Sequence, residues 1–223
     1  MEKFAALDFE TYYSKTYSIQ GSSTYQYVNH PEFDAYLVAI WSPDLSYVGK
    51  TSDFKDWKKF DGYTFIAHNA SFDQRCFEKC VEQGIIPDIQ VNWICTADMS
   101  VYFQYQRNLK GSAKEILNAD MDKAVREKMM DKTWADMIAM DESKAVLQYA
   151  LDDAKYTYQI FEELYDQWPE TERLLSKLTR AMSWEGLPID VHKLDDGINS
   201  LEETLFQAKK SLPWYGEIDP DTK

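Results

Sequence analysis

The sequence predicts an α/β fold, a five-stranded mixed sheet flanked by helices, with a C-terminal helical extension. Three observations carry this. Short apolar runs suited to strands fall near residues 3–9, 35–42, 46–50, 63–68 and 92–96, and helical patterning dominates after about residue 98. Three early strands followed by strand–helix alternation suit a mixed sheet. A chain of 223 residues can bury one good core with a small appendage.

The first run, Lys3 to Phe9, holds Phe4, Ala5, Ala6 and Leu7 in succession, which suits a strand covered on both faces. Strand side chains alternate, so Asp8 and Glu10 project to the side of Phe4 and Ala6. Two carboxylates thus converge at the strand's C-terminal end, where open α/β sheets bind ligands. Taken alone, such a pair fits equally well a buried strand emerging into water. Residues 11–33 read as one long loop around Gly21-Ser22-Ser23, of a length often given over to function.

The run Tyr63–Ala67 is followed by His68-Asn69-Ala70-Ser71-Phe72-Asp73-Gln74. Ser71 with Gln74 three residues on forms a capping-box pattern, so a helix is expected to start there with Asp73 in its first turn. An acid at that place complements the helix dipole, and His68 suits a satisfied strand-end histidine. Neither residue announces chemistry by itself.

The third fragment, Tyr149-Ala150-Leu151-Asp152-Asp153, is more discriminating. Asp141 is the expected N-cap of a helix over 142–167 that Pro169 ends. Steps of about 100° per residue gather Gln148, Asp152, Lys155, Gln159, Glu162, Glu163 and Asp166 into one polar arc. Leu147, Leu151, Ala154, Tyr158, Phe161 and Tyr165 form the main apolar stripe. Asp153 falls outside the polar arc, among Val146, Tyr149, Ile160 and Leu164. A carboxylate in an apolar sector must be paired, protonated or bound to metal. Tyr149, four residues earlier, reaches the same space.

LDFET, HNASFD and Y-x-x-x-D in this order resemble the three motifs of the DEDDy 3′–5′ exonuclease family, most closely the proofreading domain of family A DNA polymerases, phage versions included. The resemblance covers roughly residues 1–168. It implies a ribonuclease-H-like topology and two divalent metal ions, magnesium or manganese, consistent with an oxygen-only donor set. It further implies that Asp8, Glu10 and Asp153 hold a first ion, that Asp8 bridges to a second and Asp73 holds that second, and that Tyr149 orients the attacking water. Thr11 and Asn69 match family positions near the terminal nucleotide, and Phe72 could line the same pocket. A departure occurs at Ser14, where related polymerases often carry a large apolar wedge. The implied activity is release of nucleoside 5′-monophosphates from single-stranded or frayed DNA 3′ ends, as the proofreading part of a polymerase. A free-standing exoribonuclease of the ribonuclease D type shares these motifs, and an inactive exonuclease fold kept for binding is a third possibility.

Charge bears on the partner. The net charge is −14, and residues 1–170 carry 17 basic against 28 acidic side chains, the remainder 7 against 10. Such a balance repels a polyanion at long range and fits a domain that receives a strand held by something else. The local basic candidates are Lys55, Lys58, Lys59, Arg107, Lys110, Lys114, Arg126 and Lys128. Tyr12, Tyr13, Tyr17, Tyr25 and Tyr27 could stack bases or pack the long loop against the sheet, the second being the better fit.

Cys76, Cys80 and Cys95 form no disulfide framework and suit a reducing cytosol. Neither a membrane span nor a secretory leader is expected. Pro169 is the expected domain boundary, giving a nuclease over 1–168 and a helical segment over 169–223. Within it, residues 178–194 resemble the lead-in to a family A polymerase domain, which implies a fragment of a longer polymerase. Helices are expected to end near Glu185-Gly186 and to run again over Val191–Ser211, before a polar stretch over 216–223.

Overall fold

The computed structural model describes residues 2–121 and 126–214, with the side chains of residues 126 and 127 left out. The side chain of Arg126 and the polar stretch 216–223 therefore lie outside the described residues. Five strands form one sheet: β1 (Phe4–Glu10), β2 (Leu37–Ser42), β3 (Leu45–Lys50), β4 (Thr64–Ala67) and β5 (Asn92–Cys95). Their order is β3-β2-β1-β4-β5, with β1–β2 and β2–β3 antiparallel and β1–β4 and β4–β5 parallel. The mixed sheet follows from connection length. A two-residue turn joins β2 to β3, whereas the parallel pairs are joined by long crossovers.

Eight helices accompany the sheet in the described residues: α1 (Thr24–Val28), α2 (Ala70–Glu82), α3 (Thr96–Tyr102), α4 (Leu109–Leu117), α5 (Trp134–Ala139), α6 (Ser143–Leu164), α7 (Glu170–Glu185) and α8 (Val191–Lys210). Alternation along β1 divides the core in two. Ala5, Leu7 and Phe9 join Phe65 and the α2 residues Cys76, Phe77 and Cys80 on one face. Ala6 joins Leu37, Ala39, Ile66 and the α6 residues Val146, Ala150, Ala154, Ile160 and Phe161 on the other. Asp8 and Glu10 share the parity of Ala6, so β1 aims them toward the α6 side.

Three local expectations need correction. The 11–33 segment contains α1, whose N-cap Ser23 forms a capping box with Gln26. Of its tyrosines Tyr17 and Tyr27 are buried and Tyr25 is exposed; the Tyr17 and Tyr27 rings stack with centroids 4.6 Å apart, and Tyr27 donates a hydrogen bond to the Tyr12 carbonyl at 2.7 Å. Second, α2 begins at Ala70, so Ser71 lies inside the helix and caps nothing. The capping residue is Asn69, in the left-handed region at φ 84° and without a side-chain cap bond, a conformation asparagine tolerates better than most residues. Third, α6 starts at Ser143 behind Glu142, which makes no side-chain cap bond and instead pairs with Lys128 at 2.7 Å. Asp141 is therefore not its cap.

The buried face of α6 takes in Ala154, Tyr158 and Phe161 of the expected stripe together with the sector that holds Asp153. Val146, Tyr149, Asp153, Ile160 and Leu164 are all buried, while Leu147, Leu151 and Tyr165 are only half-buried. The sector holding Asp153 is thus buried along with half of the apolar arc, because the helix crosses β1 and β2 and abuts α4.

By compactness the chain divides into Met1–Trp184 and Glu185–Lys223, so the boundary expected at Pro169 falls inside the first unit. The reason is α7, whose Arg180 donates to the Trp93 carbonyl of β5 at 3.1 Å. In the second unit Asp190 caps α8 by accepting from the Lys193 N–H at 3.2 Å. Among the described residues no helix is long and apolar enough to cross a membrane. The three cysteines are buried and unbridged.

Candidate active site

The C-terminal ends of β1 and β4, the first turn of α2, the loop before α4 and the middle of α6 surround a cavity of about 650 Å³. Its lining includes Asp8, Glu10, Asp73, Tyr149 and Asp153, together with Asn69 and Phe72. Five residues spread over 146 positions of sequence are brought to one place. Thr11 is not among the lining residues. It is buried, with its hydroxyl 2.8 Å from that of Tyr27, so its visible work is to tie the loop to the strand end. Ser14 accepts from the Tyr17 N–H at 3.0 Å and shapes a turn. Of the apolar residues along the lining, Phe72 is half-buried, while Phe9 and Leu109 are buried in the core.

Each acid is held by its own element. Asp8 and Glu10 follow from β1 parity. Asp73, 3% exposed, accepts the Phe9 N–H at 3.1 Å, which fixes α2 to the end of β1. Asp153 and Tyr149 are one turn apart on α6, and the Tyr149 hydroxyl donates to Asp153. Asp152, one residue away, is half-buried and accepts from Gln148 at 2.9 Å.

Electrostatics show what the cavity lacks in its own lining. Burial pushes the Asp73 carboxyl up to about 7; N–H bonds from Phe9 and its own backbone oppose this, and the charge of Asp153 adds to it. Burial also raises the Tyr149 phenol, reinforced by Asp153, Glu10 and Asp8. Four carboxylates in one cavity with a single permanent cation, Arg107, among the lining residues make a region of strong negative potential. Oxygen donors of this kind fit a hard divalent cation rather than a soft one. Among the described residues, however, no three acids, histidines or cysteines already stand as a closed metal-ligand group. The donor chemistry fits, while the coordination geometry is not set by the chain alone.

A pH dependence follows from Asp73. Its pKa in the folded protein lies above the ordinary 3.8, so the folded state binds a proton that the unfolded chain releases. The resulting stabilisation is complete below the ordinary carboxylate range and is lost as pH rises through about 7. The melting temperature of the metal-free protein is therefore expected to fall between pH 5 and pH 8, and millimolar magnesium to flatten that slope. A metal-free profile that rises across this window contradicts the assignment.

Sequence reasoning missed most of the loop before α4. Gln106, Asn108 and Leu109 line the cavity beside Arg107, and of the basic candidates with described side chains only Arg107 does so. The available signal was local. Asn108 caps α4 by accepting the Gly111 N–H at 2.9 Å. A Cβ on Gly111 would come within 2.7 Å of the Gln106 Cβ, so glycine is needed for the loop to fold back on the helix. His68 is more than a strand-end residue: its Nε2 lies 2.7 Å from the Arg107 carbonyl and its Nδ1 2.9 Å from Thr96 Oγ1.

A second cavity, about 640 Å³, lies at the opposite ends of the strands, lined by Glu2, Trp93, Trp168, Arg173, Lys177 and Arg180 among others. Its arginines are committed to the fold. Arg173 donates to the carbonyls of Tyr165 and Trp168, and Arg180 to Trp93 and Ser176.

Comparison with known proteins agrees with the cavity. Residues 4–168 match the family described as 3′–5′ exonuclease. No curated protein matches the chain. Among solved structures the fold is similar to NrnC of Brucella melitensis, with a TM-score of 0.56 and 18% identity over 82% of this chain and 84% of that one. It is similar to the catalytic core of RRP6 from Trypanosoma brucei, at 0.54 and 16% over 82% and 46%. A third likeness is to Trypanosoma brucei RNase D in complex with RNA U12, at 0.51 and 14% over 73% and 55%. At such identities these likenesses concern the fold, a five-stranded α/β sheet of the ribonuclease-H-like exonuclease type. The match over residues 4–168 covers most of the chain, and on that ground the chain belongs to the 3′–5′ exonuclease family.

Proposed function

We propose that the protein hydrolyses the terminal phosphodiester of a single-stranded 3′ end, releasing nucleoside 5′-monophosphates, and that RNA is its substrate. The observation that carries the hydrolytic reading is the gathering of Asp8, Glu10, Asp73, Asp153 and Tyr149 around one cavity. Asp8, Glu10 and Asp153 would hold one divalent cation and Asp73, with Asp8, a second. Such ions, when bound, neutralise charge on the scissile phosphate and lower the pKa of water at the site. Magnesium or manganese suits the oxygen donors.

The chain's own residues do the rest. Tyr149, its phenol raised by burial and by three neighbouring carboxylates, stays protonated with its hydroxyl hydrogen directed to Asp153, and orients the attacking water by accepting a hydrogen bond from it rather than by acting as a base. The water oxygen bonds to phosphorus, the bond to the penultimate 3′-oxygen breaks, and that oxygen takes up a proton. Arg107, exposed at the cavity's edge, meets a non-bridging phosphate oxygen. Asn69 and Phe72 face the terminal nucleotide. Thr11 acts on it only through the backbone it anchors.

RNA is supported by the fold neighbours, one of which is described with RNA U12 bound. A second reading is DNA, with the domain serving a polymerase. It rests on the closeness of the three motifs to proofreading domains and on residues 178–194. Digestion of end-labelled single-stranded RNA and DNA of one sequence, with products identified, separates the two. Preference for RNA by about tenfold or more in kcat/KM, a difference near 1.4 kcal/mol, supports the first. Equal or greater DNA cleavage moves the assignment to the second, and binding without nucleotide release in manganese overturns both.

A further inference from the structure

We propose that Asp98, Ser176 and Arg180 are positioning residues for Arg107, so that α7, beyond the residues matched to the family, belongs to the apparatus that grips the substrate phosphate. The inference rests on the nuclease reading of the cavity. Arg107 is 56% exposed at its side chain, and an arginine so placed samples many rotamers whose loss opposes binding. The structure removes that freedom at both ends of the residue.

The main chain is held from β4 and α3. His68 Nε2 donates to the Arg107 carbonyl, which in a neutral ring leaves Nδ1 to accept the Thr96 hydroxyl proton. The guanidinium is held by Asp98, whose Oδ1 accepts from Nη1 at 2.9 Å. Asp98 is in turn oriented from α7. Its Oδ2 accepts the Ser176 hydroxyl at 2.6 Å and lies 3.6 Å from Arg180 Nη1. Arg180 is 7% exposed and is pinned by donating to Ser176 Oγ at 2.6 Å and to the Trp93 carbonyl at 3.1 Å.

Charge arithmetic gives the arrangement a purpose. A lone Arg107–Asp98 pair is neutral and offers a phosphate little. One carboxylate shared by two arginines leaves the trio with a net positive charge, exposed only on the Arg107 side. The buried Arg180 therefore lets Asp98 anchor Arg107 without cancelling it.

The test uses the full chain and a fluorescein-labelled single-stranded decamer, as RNA and as DNA. Kd is read by anisotropy without added metal, and kcat and KM are read with manganese. Arg107→Ala is expected to raise Kd and KM about tenfold, the loss of one charge-assisted bond, and to reduce the slope of log Kd against log salt by about one. Asp98→Asn is expected to raise Kd about fivefold although it removes a negative charge, and to add nothing in the Arg107→Ala background. Ser176→Ala produces a smaller loss of the same kind, restored by Ser176→Thr. Additive effects in the double variants, or tighter binding by Asp98→Asn, overturn the proposal and leave the network as a tie between α7 and the sheet. Should Asp98→Asn fail to fold, the Ser176→Ala and Arg107→Ala cycle decides in the same way. A parent protein that releases no nucleotide sinks the nuclease reading, while the metal-free binding cycle still decides the role of Asp98.

Discussion

Asp153→Ala is expected to cut nucleotide release by at least roughly a thousandfold, and Asp152→Ala to leave the rate within about twofold. The first figure follows from losing several kcal/mol of charge stabilisation at the phosphate, each 1.4 kcal/mol being about tenfold. The contrast comes from helical geometry. Asp153 is 8% exposed, lines the cavity with Asp8 and Glu10 and accepts a hydrogen bond from the Tyr149 hydroxyl. Asp152 lines a smaller neighbouring cavity of about 240 Å³ and is engaged by Gln148. Removing Asp153 also relieves repulsion among four acids, so the metal-free melting temperature should hold or rise while activity vanishes. Initial rates on an end-labelled substrate, with a thermal melt of each variant, check both halves. Equal losses at the two positions contradict the helix-face assignment, and a destabilised Asp153 variant contradicts the electrostatic account.

Chelation of divalent cations is expected to take cleavage below detection, with magnesium or manganese restoring it and calcium-sized or softer ions doing so poorly. A phosphodiester brought beside Asp8, Glu10, Asp73 and Asp153 without counter-charge meets repulsion from every side, and burial weakens the screening that water provides. The same acids should bind magnesium to the folded protein and not to the unfolded chain. The melting temperature then climbs with magnesium concentration, by a stabilisation of about 2.7 kcal/mol at a hundredfold excess over Kd. Two titrations measure this: nucleotide release after exhaustive chelation, and melting temperature against magnesium. Full activity in chelator, or a melting temperature indifferent to magnesium, removes the basis for metal-assisted hydrolysis. Zinc supporting full activity argues for a different ligand set.

The elements legible in the sequence are those in which a periodic pattern meets one dominant environment. All five strands were readable, because each is a short apolar run bounded by polar turns, and alternation along β1 correctly assigned Asp8 and Glu10 to the side of Ala6. The α6 helix was readable from its period, and so was the inward direction of Asp153. The misplaced features depended on single hydrogen bonds. Asn69 starts α2 through a left-handed backbone, which no capping pattern announces. The short α1 was hidden in a polar loop although its Ser23–Gln26 box was present. Within the site, the three motifs pointed to the acids, whereas Gln106, Asn108 and Leu109 reach the cavity only because Gly111 lets the loop fold back over α4.

By itself the sequence determined the α/β class, the order of the strands along the chain and the five residues proposed to carry the hydrolysis. Those follow from local preference and period, which act over a few residues. Only the tertiary structure decided that the five share one cavity, that Thr11 turns to Tyr27 instead of lining it, and that Arg107 is tied through Asp98 to Ser176 and Arg180 on α7. The Asp98–Ser176 contact spans 78 residues of chain. Contacts at that separation are set by how whole elements pack on the sheet, and no stretch of neighbouring residues encodes them.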